Sequence, residues 1–213
     1  MSGNVNIQNI SLFHSHSSSS SYQENENSLS INISTRGNSS QEFCQVFSTL
    51  AAQGSRCSLT NLAFYDVNWE QKPLYSFGSL LDNNSSIKDV EFHRNVFGTK
   101  ALLDLSHILG RNKRIRGIIF SACQLESIGA GLIASALTKN DSLEELQIWE
   151  DSVGSTGAEE LSRMIEINST LKLLLIFDKQ SMTATPLLSA VLARNRNMEV
   201  HIWINDEAAK ILK

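Results

Sequence analysis

The stretch Asn112–Leu125, NKRIRGIIFSACQL, has the same spacing as NSSIKDVEFHRNVF at Asn84–Phe97 and NDSLEELQIWEDSV at Asn140–Val153. Apolar residues fall at the first, fourth and sixth places of each copy: Ile115, Ile118 and Phe120; Ile87, Val90 and Phe92; Leu143, Leu146 and Ile148. Outward from these, the pattern recurs at Leu59, Leu62 and Phe64 and at Leu171, Leu174 and Ile176, so that five copies begin 28 residues apart. Asn84, Asn112, Asn140 and Asn168 each stand three residues before a copy, and Asn195 follows at an interval of 27. Within a copy the places are numbered from the first apolar residue.

The unit continues as L-x-x-L-x-L-x-x-[NC]-x-L. Asn95 and Cys123 occupy place 9 and Phe97 and Leu125 place 11; Asp151 and Val153 still fit, whereas Lys179 and Ser181 do not. A helical pattern follows the strand segments: Leu102, Leu105, Ile108 and Leu109; Leu132, Ile133, Ala136 and Leu137; Ala158, Leu161, Met164 and Ile165. Apolar residues three and four apart define one buried stripe per helix. A strand-plus-helix unit of this size cannot bury both apolar faces alone and must stack on copies of itself. Parallel neighbours need a crossover, so the helices form a separate outer layer. The fold class that follows is α/β, a leucine-rich-repeat solenoid of the ribonuclease-inhibitor-like kind, with five to seven strands in a curved parallel sheet inside and helices outside. Asn at each helix end suits a left-handed C′ cap, and Ala101, Gly129, Gly157 and Ala184 are small where neighbouring units pack closely.

The ends are less regular. Residues 1–56 read as an atypical capping repeat with a Ser-rich insertion (Ser17–Ser21), 57–204 as the 28-residue repeats, and 205–213 as a short tail. In the cap, Ile7, Ile10 and Leu12 resemble one more strand segment, Leu29, Ile31 and Ile33 alternate like an edge strand, and a helix is expected from Gln41 to Ala52. At the other end, Pro186–Leu192 reads as the last full helix. Val200, Ile202 and Ile204 alternate as a final strand whose register is open by a residue or two, and Asp206–Leu212 reads as a short helix.

Residues 140–172, NDSLEELQIWEDSVGSTGAEELSRMIEINSTLK, with TATPLLSAVLARNRNMEVHIW at 183–203, resemble the amino-terminal repeats of plant TORNADO-type, Roco-like proteins. In that family the repeats precede a Ras-like GTPase module. The resemblance implies a role in developmental patterning through protein contacts, in the cytoplasm or at the inner face of the plasma membrane. It leaves two readings open: a stand-alone interaction scaffold, or the amino-terminal part of a Roco-type GTPase whose nucleotide-binding domain is missing from this chain.

Composition narrows the chemistry. Net charge is −4, which favours neither nucleic acid nor an anionic membrane surface. Cys44, Cys57 and Cys123 are an odd number without a C-x-x-C pair, arguing against a disulfide framework or a cysteine zinc site and for a reducing compartment. No basic segment followed by an apolar run opens the chain, and the longest apolar block, Leu173–Phe177, is strand-sized. The phosphate-cradling G-x-x-x-x-G-K-[ST], G-x-S-x-G and H-E-x-x-H are all absent. His14 and His16 lack a third ligand nearby. The cluster Arg111, Lys113, Arg114 and Arg116 reads as a solvated repeat edge. No catalytic residue, metal site, cofactor or small-molecule substrate is therefore expected, and the expected partner is a protein, with self-association through the repeat ends left open.

Alternation along a strand places residues 3, 5 and 7 on the concave surface. Place 7 runs Tyr65, His93, Ser121, Trp149, Phe177, with Trp203 as a sixth if Val200 and Ile202 point inward. Place 5 runs Ala63, Glu91, Ile119, Gln147, Leu175, and place 3 runs Asn61, Asp89, Gly117, Glu145, Leu173. Aromatic side chains give large contact area at low entropic cost. The candidate partner-binding residues are accordingly Tyr65, Glu91, His93, Glu145, Gln147, Trp149 and Phe177. Glu145, Glu150 and Asp151 near Trp149 favour a basic or polar-aromatic segment. Trp149 is expected to be largely exposed, and Leu173, Leu175 and Phe177 form an exposed apolar stretch that either binds a partner or is covered by the chain's own carboxy-terminal tail.

Overall fold

The computed structural model describes residues 11–13, 29–34, 40–53, 59–71, 74–178, 198–204 and 207–212. Nine strands form one sheet in chain order: β1 (Ser11–Phe13), β2 (Leu29–Ser34), β3 (Leu59–Tyr65), β4 (Asp89–His93), β5 (Gly117–Ser121), β6 (Glu145–Trp149), β7 (Leu173–Asp178), β8 (Glu199–Ile204) and β9 (Glu207–Leu212). Neighbours from β2 to β8 are parallel, while β1 and β9 pair antiparallel at the two edges. Five helices are described: α1 (Ser40–Gln53), α2 (Leu74–Asn83), α3 (Thr99–Arg111), α4 (Glu126–Leu137) and α5 (Gly154–Ile167). This is an α/β, leucine-rich-repeat-like arrangement.

The register follows the 28-residue period. Phe64 pairs with Phe92, Phe92 with Phe120, Phe120 with Ile148, and Ile148 with Ile176. Places 1, 4 and 6 of these strands are buried and share a single core with the inward stripes of the helices. Phe64, Phe92 and Phe120 stack with ring centroids 5.3 Å apart at each step. Trp69, 1% exposed, fills place 11 of the first unit and donates its indole N–H to Asn95 Oδ1 at 2.8 Å. Small residues permit the helix layer to close: a Cβ on Gly157 would lie 2.9 Å from the Ala130 Cβ.

Polar side chains tie one rung to the next at two places. At place 9, Asn95 Nδ2 donates to the Phe64 and His93 carbonyls, both at 2.8 Å, and the Cys123 thiol donates to the Phe92 carbonyl at 3.2 Å. Asp151 reverses the polarity, accepting from the Cys123 and Leu125 amides at 2.9 and 3.1 Å. Before place 1, Asn140 Oδ1 accepts from the Ser142 and Leu143 amides while its Nδ2 donates to the Leu109 and Asn112 carbonyls. Asn168 repeats this on Thr170, Leu171, Leu137 and Asn140. Asn84 and Asn112 make the corresponding Oδ1 contacts.

Several expectations are corrected. The asparagines are not left-handed caps: Asn112 and Asn168 have φ of −69° and −71° with extended ψ, and the side chain, not the backbone, turns the chain. Left-handed residues occur at the strand exits instead: Asp66, Arg94, Ala122 and Glu150. Seven strands, β2 to β8, run parallel, within the expected five to seven, and among the described residues β1 and β9 add one antiparallel strand at each edge. Leu29–Ser34 is not an edge strand, since Ser11–Phe13 covers its outer side. Glu207–Leu212 is a strand paired with β8, not a helix; cross-strand pairing overrides the local preference. Phe177 pairs with Trp203, which settles the register of β8. Helix α1 agrees with the expected Gln41–Ala52 segment. Ile7, Ile10, His14, His16, Cys57, Lys179, Ser181, Ala184 and the Pro186–Leu192 segment lie outside the described residues.

Leu146 is wholly buried in the middle of this core. Leu146→Ala is expected to lower stability by about 2–5 kcal/mol in equilibrium urea unfolding.

Candidate functional site

The helices cover one face of the sheet, and places 3, 5 and 7 look out from the other. Each of the seven candidate residues lies on this open face, in two groups separated by β5. The first group belongs to β3 and β4. Tyr65 and His93 stack with centroids 4.7 Å apart and planes 9° from parallel. Glu91 sits between donors, with Asn61 Nδ2 and His93 Nε2 each 2.9 Å from its carboxylate oxygens. Burial pushes the Glu91 carboxyl up, but the hydrogen bonds from His93 and Asn61 and the charge of His93 more than offset it, and the net shift is downward.

The second group belongs to β6 and β7. Trp149 Nε1 donates to Gln147 Oε1 at 2.6 Å, and Gln147 Nε2 donates to Glu145. This relay fixes which way the amide faces and holds the indole against the sheet. Phe177 stacks on it, with centroids 6.1 Å apart at 25°. Glu145 is 4% exposed, and burial raises its carboxyl despite the hydrogen bond from Gln147. Trp149 is thus half-buried, not largely exposed as expected, because Phe177 and Gln147, supplied by the next rung and its own strand, cover part of it. Leu173, Leu175 and Phe177 are likewise half-buried by lateral neighbours and are not an exposed apolar stretch.

Between the groups, β5 presents Gly117, Ile119 and Ser121. A Cβ on Gly117 would lie 2.5 Å from Asp89 Oδ1, so the absent side chain is what lets Asp89 lean over β5. Asp89 has its carboxyl pushed up to about 6, mainly by burial, then by the Glu91 charge, with Lys88 opposing. Sequence reasoning placed Asp89 in a column without singling it out, because its burial appears only in the fold and the gap that receives it, at Gly117, lies one rung away. It also missed Arg94, whose Nε and Nη2 donate to Asp66 at 2.9 and 3.2 Å while its guanidinium lies 5.9 Å from the Tyr65 ring centroid. The signal was available: opposite charges at place 8 exactly one period apart.

Elsewhere the charged groups answer one another. Arg111 pairs with Asp82, Lys113 with Asp141, and Lys172 with Glu144, while Arg116 donates to the Ser142 carbonyl at 2.7 Å. A surface depression of about 620 Å³, lined in part by Arg116, Asp141, Glu144 and Lys172, lies among these pairs at the helix-to-strand junctions. The Cys123 thiol is buried and its pKa is pushed up to about 12, leaving it unreactive. Among the described residues no group of three or more His, Cys, Asp or Glu could hold a metal ion, and no helix is long and apolar enough to cross a membrane.

No family model matches the chain. A 31-residue segment, 15% of the chain, is 64% identical to Protein TORNADO 1 of Arabidopsis thaliana, covering 2% of that protein. Over 158 residues, 71% of the chain, it is 25% identical to NACHT, LRR and PYD domains-containing protein 3 of Bos taurus, covering 15% of that protein. The chain therefore spans a small part of the length of both. Among solved structures, Leiomodin-1 Actin-Binding Site 2 superimposes with a TM-score of 0.52 at 20% identity, over 70% of this chain and 88% of that one, a likeness of fold. These similarities carry leucine-rich-repeat-like character.

The raised carboxyl of Asp89 gives a signed pH dependence. Its folded value of about 6 exceeds the unfolded one, so the stability it contributes is complete below pH about 4 and is lost as pH rises through about 6. Asp89→Asn is expected to be more stable than the parent by about 1–2 kcal/mol at pH 7.5, with the gain vanishing at pH 3.5, in urea unfolding across pH.

Proposed function

We propose that the chain is a non-catalytic protein-interaction scaffold whose repeats form a curved solenoid and whose open, concave face receives a partner. The observation that carries this reading is the stacked, half-buried Trp149–Phe177 pair beside the buried Glu145. Rigid aromatic area held in place by a hydrogen-bond relay loses little entropy on binding, as binding hot spots require. Across β3–β7, places 3, 5 and 7 hold three carboxylates (Asp89, Glu91, Glu145) and no lysine or arginine, which favours a basic or polar-aromatic partner segment. The free thiols of Cys44 and Cys123 fit the proposed cytoplasmic setting.

The 31-residue similarity to TORNADO 1 favours a second, more specific form: the amino-terminal recognition region of a plant Roco-type protein acting in developmental signalling. In that form the gene encodes a P-loop downstream of these repeats, and sequencing the transcript beyond Lys213 reads it directly.

A photo-crosslinking amino acid at Ile119, on the open face, is expected to capture the partner in cells, whereas one at Glu159, exposed on α5, is not. Trp149→Ala is expected to reduce capture from position 119 by about tenfold or more, at a stability cost of about 0.5–1.5 kcal/mol for the lost stacking on Phe177. Equal capture from both positions would contradict the assignment of the face.

A further inference from the structure

Place 3 of three successive strands holds Asn61, Asp89 and Gly117, register partners on β3, β4 and β5. The Asn61 amide is oriented by Glu91: its Nδ2 donates to Glu91 Oε1 at 2.9 Å. Glu91 can only accept there, because the hydrogen bonds from His93 and Asn61 keep its carboxyl ionised. The other end of the amide, Asn61 Oδ1, is then left buried with no hydrogen-bond partner. A buried carbonyl oxygen without a donor is unfavourable and calls for an explanation.

Asp89 is the neighbour on β4, and its carboxylate stands on the far side. A Cβ on Gly117 would lie 2.5 Å from Asp89 Oδ1, so the carboxylate occupies the space over β5, away from β3. An ionised carboxylate and a carbonyl oxygen are both acceptors and repel, and the bare backbone at Gly117 gives the carboxylate room to stand apart. A protonated carboxyl carries an O–H, and the oxygen that repelled the ion becomes its acceptor. The charges acting on Asp89 come from its own segment: Glu91 favours the proton and Lys88 opposes it, while burial, the largest influence, also favours it and the carboxyl is pushed up to about 6. Among the described residues the flanking strands bring no further titratable group against it. β3 contributes Asn61 and Ala63, β5 contributes Gly117 and Ile119, and Arg116 donates to the Ser142 carbonyl of the following unit.

We infer that Asp89 is a proton-operated switch on the open face: with its proton it turns to β3 and donates to Asn61 Oδ1, and once deprotonated it stands over Gly117 as a charge beside Glu91. The proton-on form ties β3 to β4 by a side-chain bond and leaves Glu91 as the one charged carboxyl of the two. The proton-off form presents both. The switch stands independently of the protein-binding reading. Where that reading holds, a basic partner binds the proton-off form more tightly, and its binding strengthens as pH rises through about 6.

The test follows the Asp89 carboxyl carbon by NMR across pH in the full chain labelled with ¹³C and ¹⁵N, assigned with Asp89→Asn. Asn61→Leu separates the switch from plain burial, because the two predict opposite signs. Loss of the acceptor should lower the Asp89 midpoint by about one pH unit. Burial alone, made stronger by an apolar neighbour, would hold the midpoint or raise it. In the unaltered chain the Asn61 side-chain carbonyl carbon should shift with the same midpoint as Asp89, which keeps the test decisive if Asn61→Leu fails to fold. Gly117→Ala, which obstructs the proton-off position, should raise the midpoint. A midpoint unchanged or raised in Asn61→Leu, an Asn61 carbonyl that does not follow Asp89, or an unchanged midpoint in Gly117→Ala would each overturn the inference. No partner enters these measurements, so failure of the switch leaves capture from position 119 as the separate test of the open face.

Discussion

A buried asparagine just before each of β4, β5, β6 and β7 sets the distance from one rung to the next. Its carbonyl oxygen collects two amides of its own turn, and at Asn140 and Asn168 its amide group reaches two carbonyls of the preceding unit. A buried carbonyl or amide without a partner costs about 1–3 kcal/mol, so these contacts tolerate no slip of register. With the register locked, places 1, 4 and 6 fall on the helix side of every strand and places 3, 5 and 7 on the other. The apolar core follows from the first set, and every candidate binding group from the second.

The same lock makes variation between copies informative. Place 9 changes from a donor in Asn95 and Cys123 to an acceptor in Asp151, and the rung-to-rung contact survives with its polarity reversed. Place 8 keeps its left-handed backbone through aspartate, arginine, alanine and glutamate, although that conformation is unfavourable for each of them. The backbone there is imposed by the amide-to-carbonyl bond to the following strand, made by all four residues. Its side chains are free to differ, and they carry the charges at the rim.

The central rungs were legible because their signal is local and repeated: an apolar residue at three fixed places, an asparagine at a fourth. What escaped depends on neighbours distant in the chain. Trp149 looks exposed when its strand is considered alone and becomes half-buried once Phe177 and Gln147 flank it. Asp89 looks like an ordinary column residue until its burial and the gap at Gly117, on the following strand, are added. The segment Glu207–Leu212, EAAKIL, has helix-forming composition, and only its pairing with β8 makes it a strand. The asparagines were placed correctly but given the wrong role, since a residue that tolerates the left-handed region also has a side chain able to turn an extended backbone.

The central claim is that residues one period apart lie side by side on the same face, and engineered disulfides measure this directly. With Cys44 and Cys57 replaced by serine, the pair Ile119→Cys and Gln147→Cys, register partners in β5 and β6, is expected to close rapidly under mild oxidation. The pair Ile119→Cys and Ile148→Cys, one residue out of step and on opposite faces, is expected to stay open. Closure of the second pair in preference to the first would contradict the account.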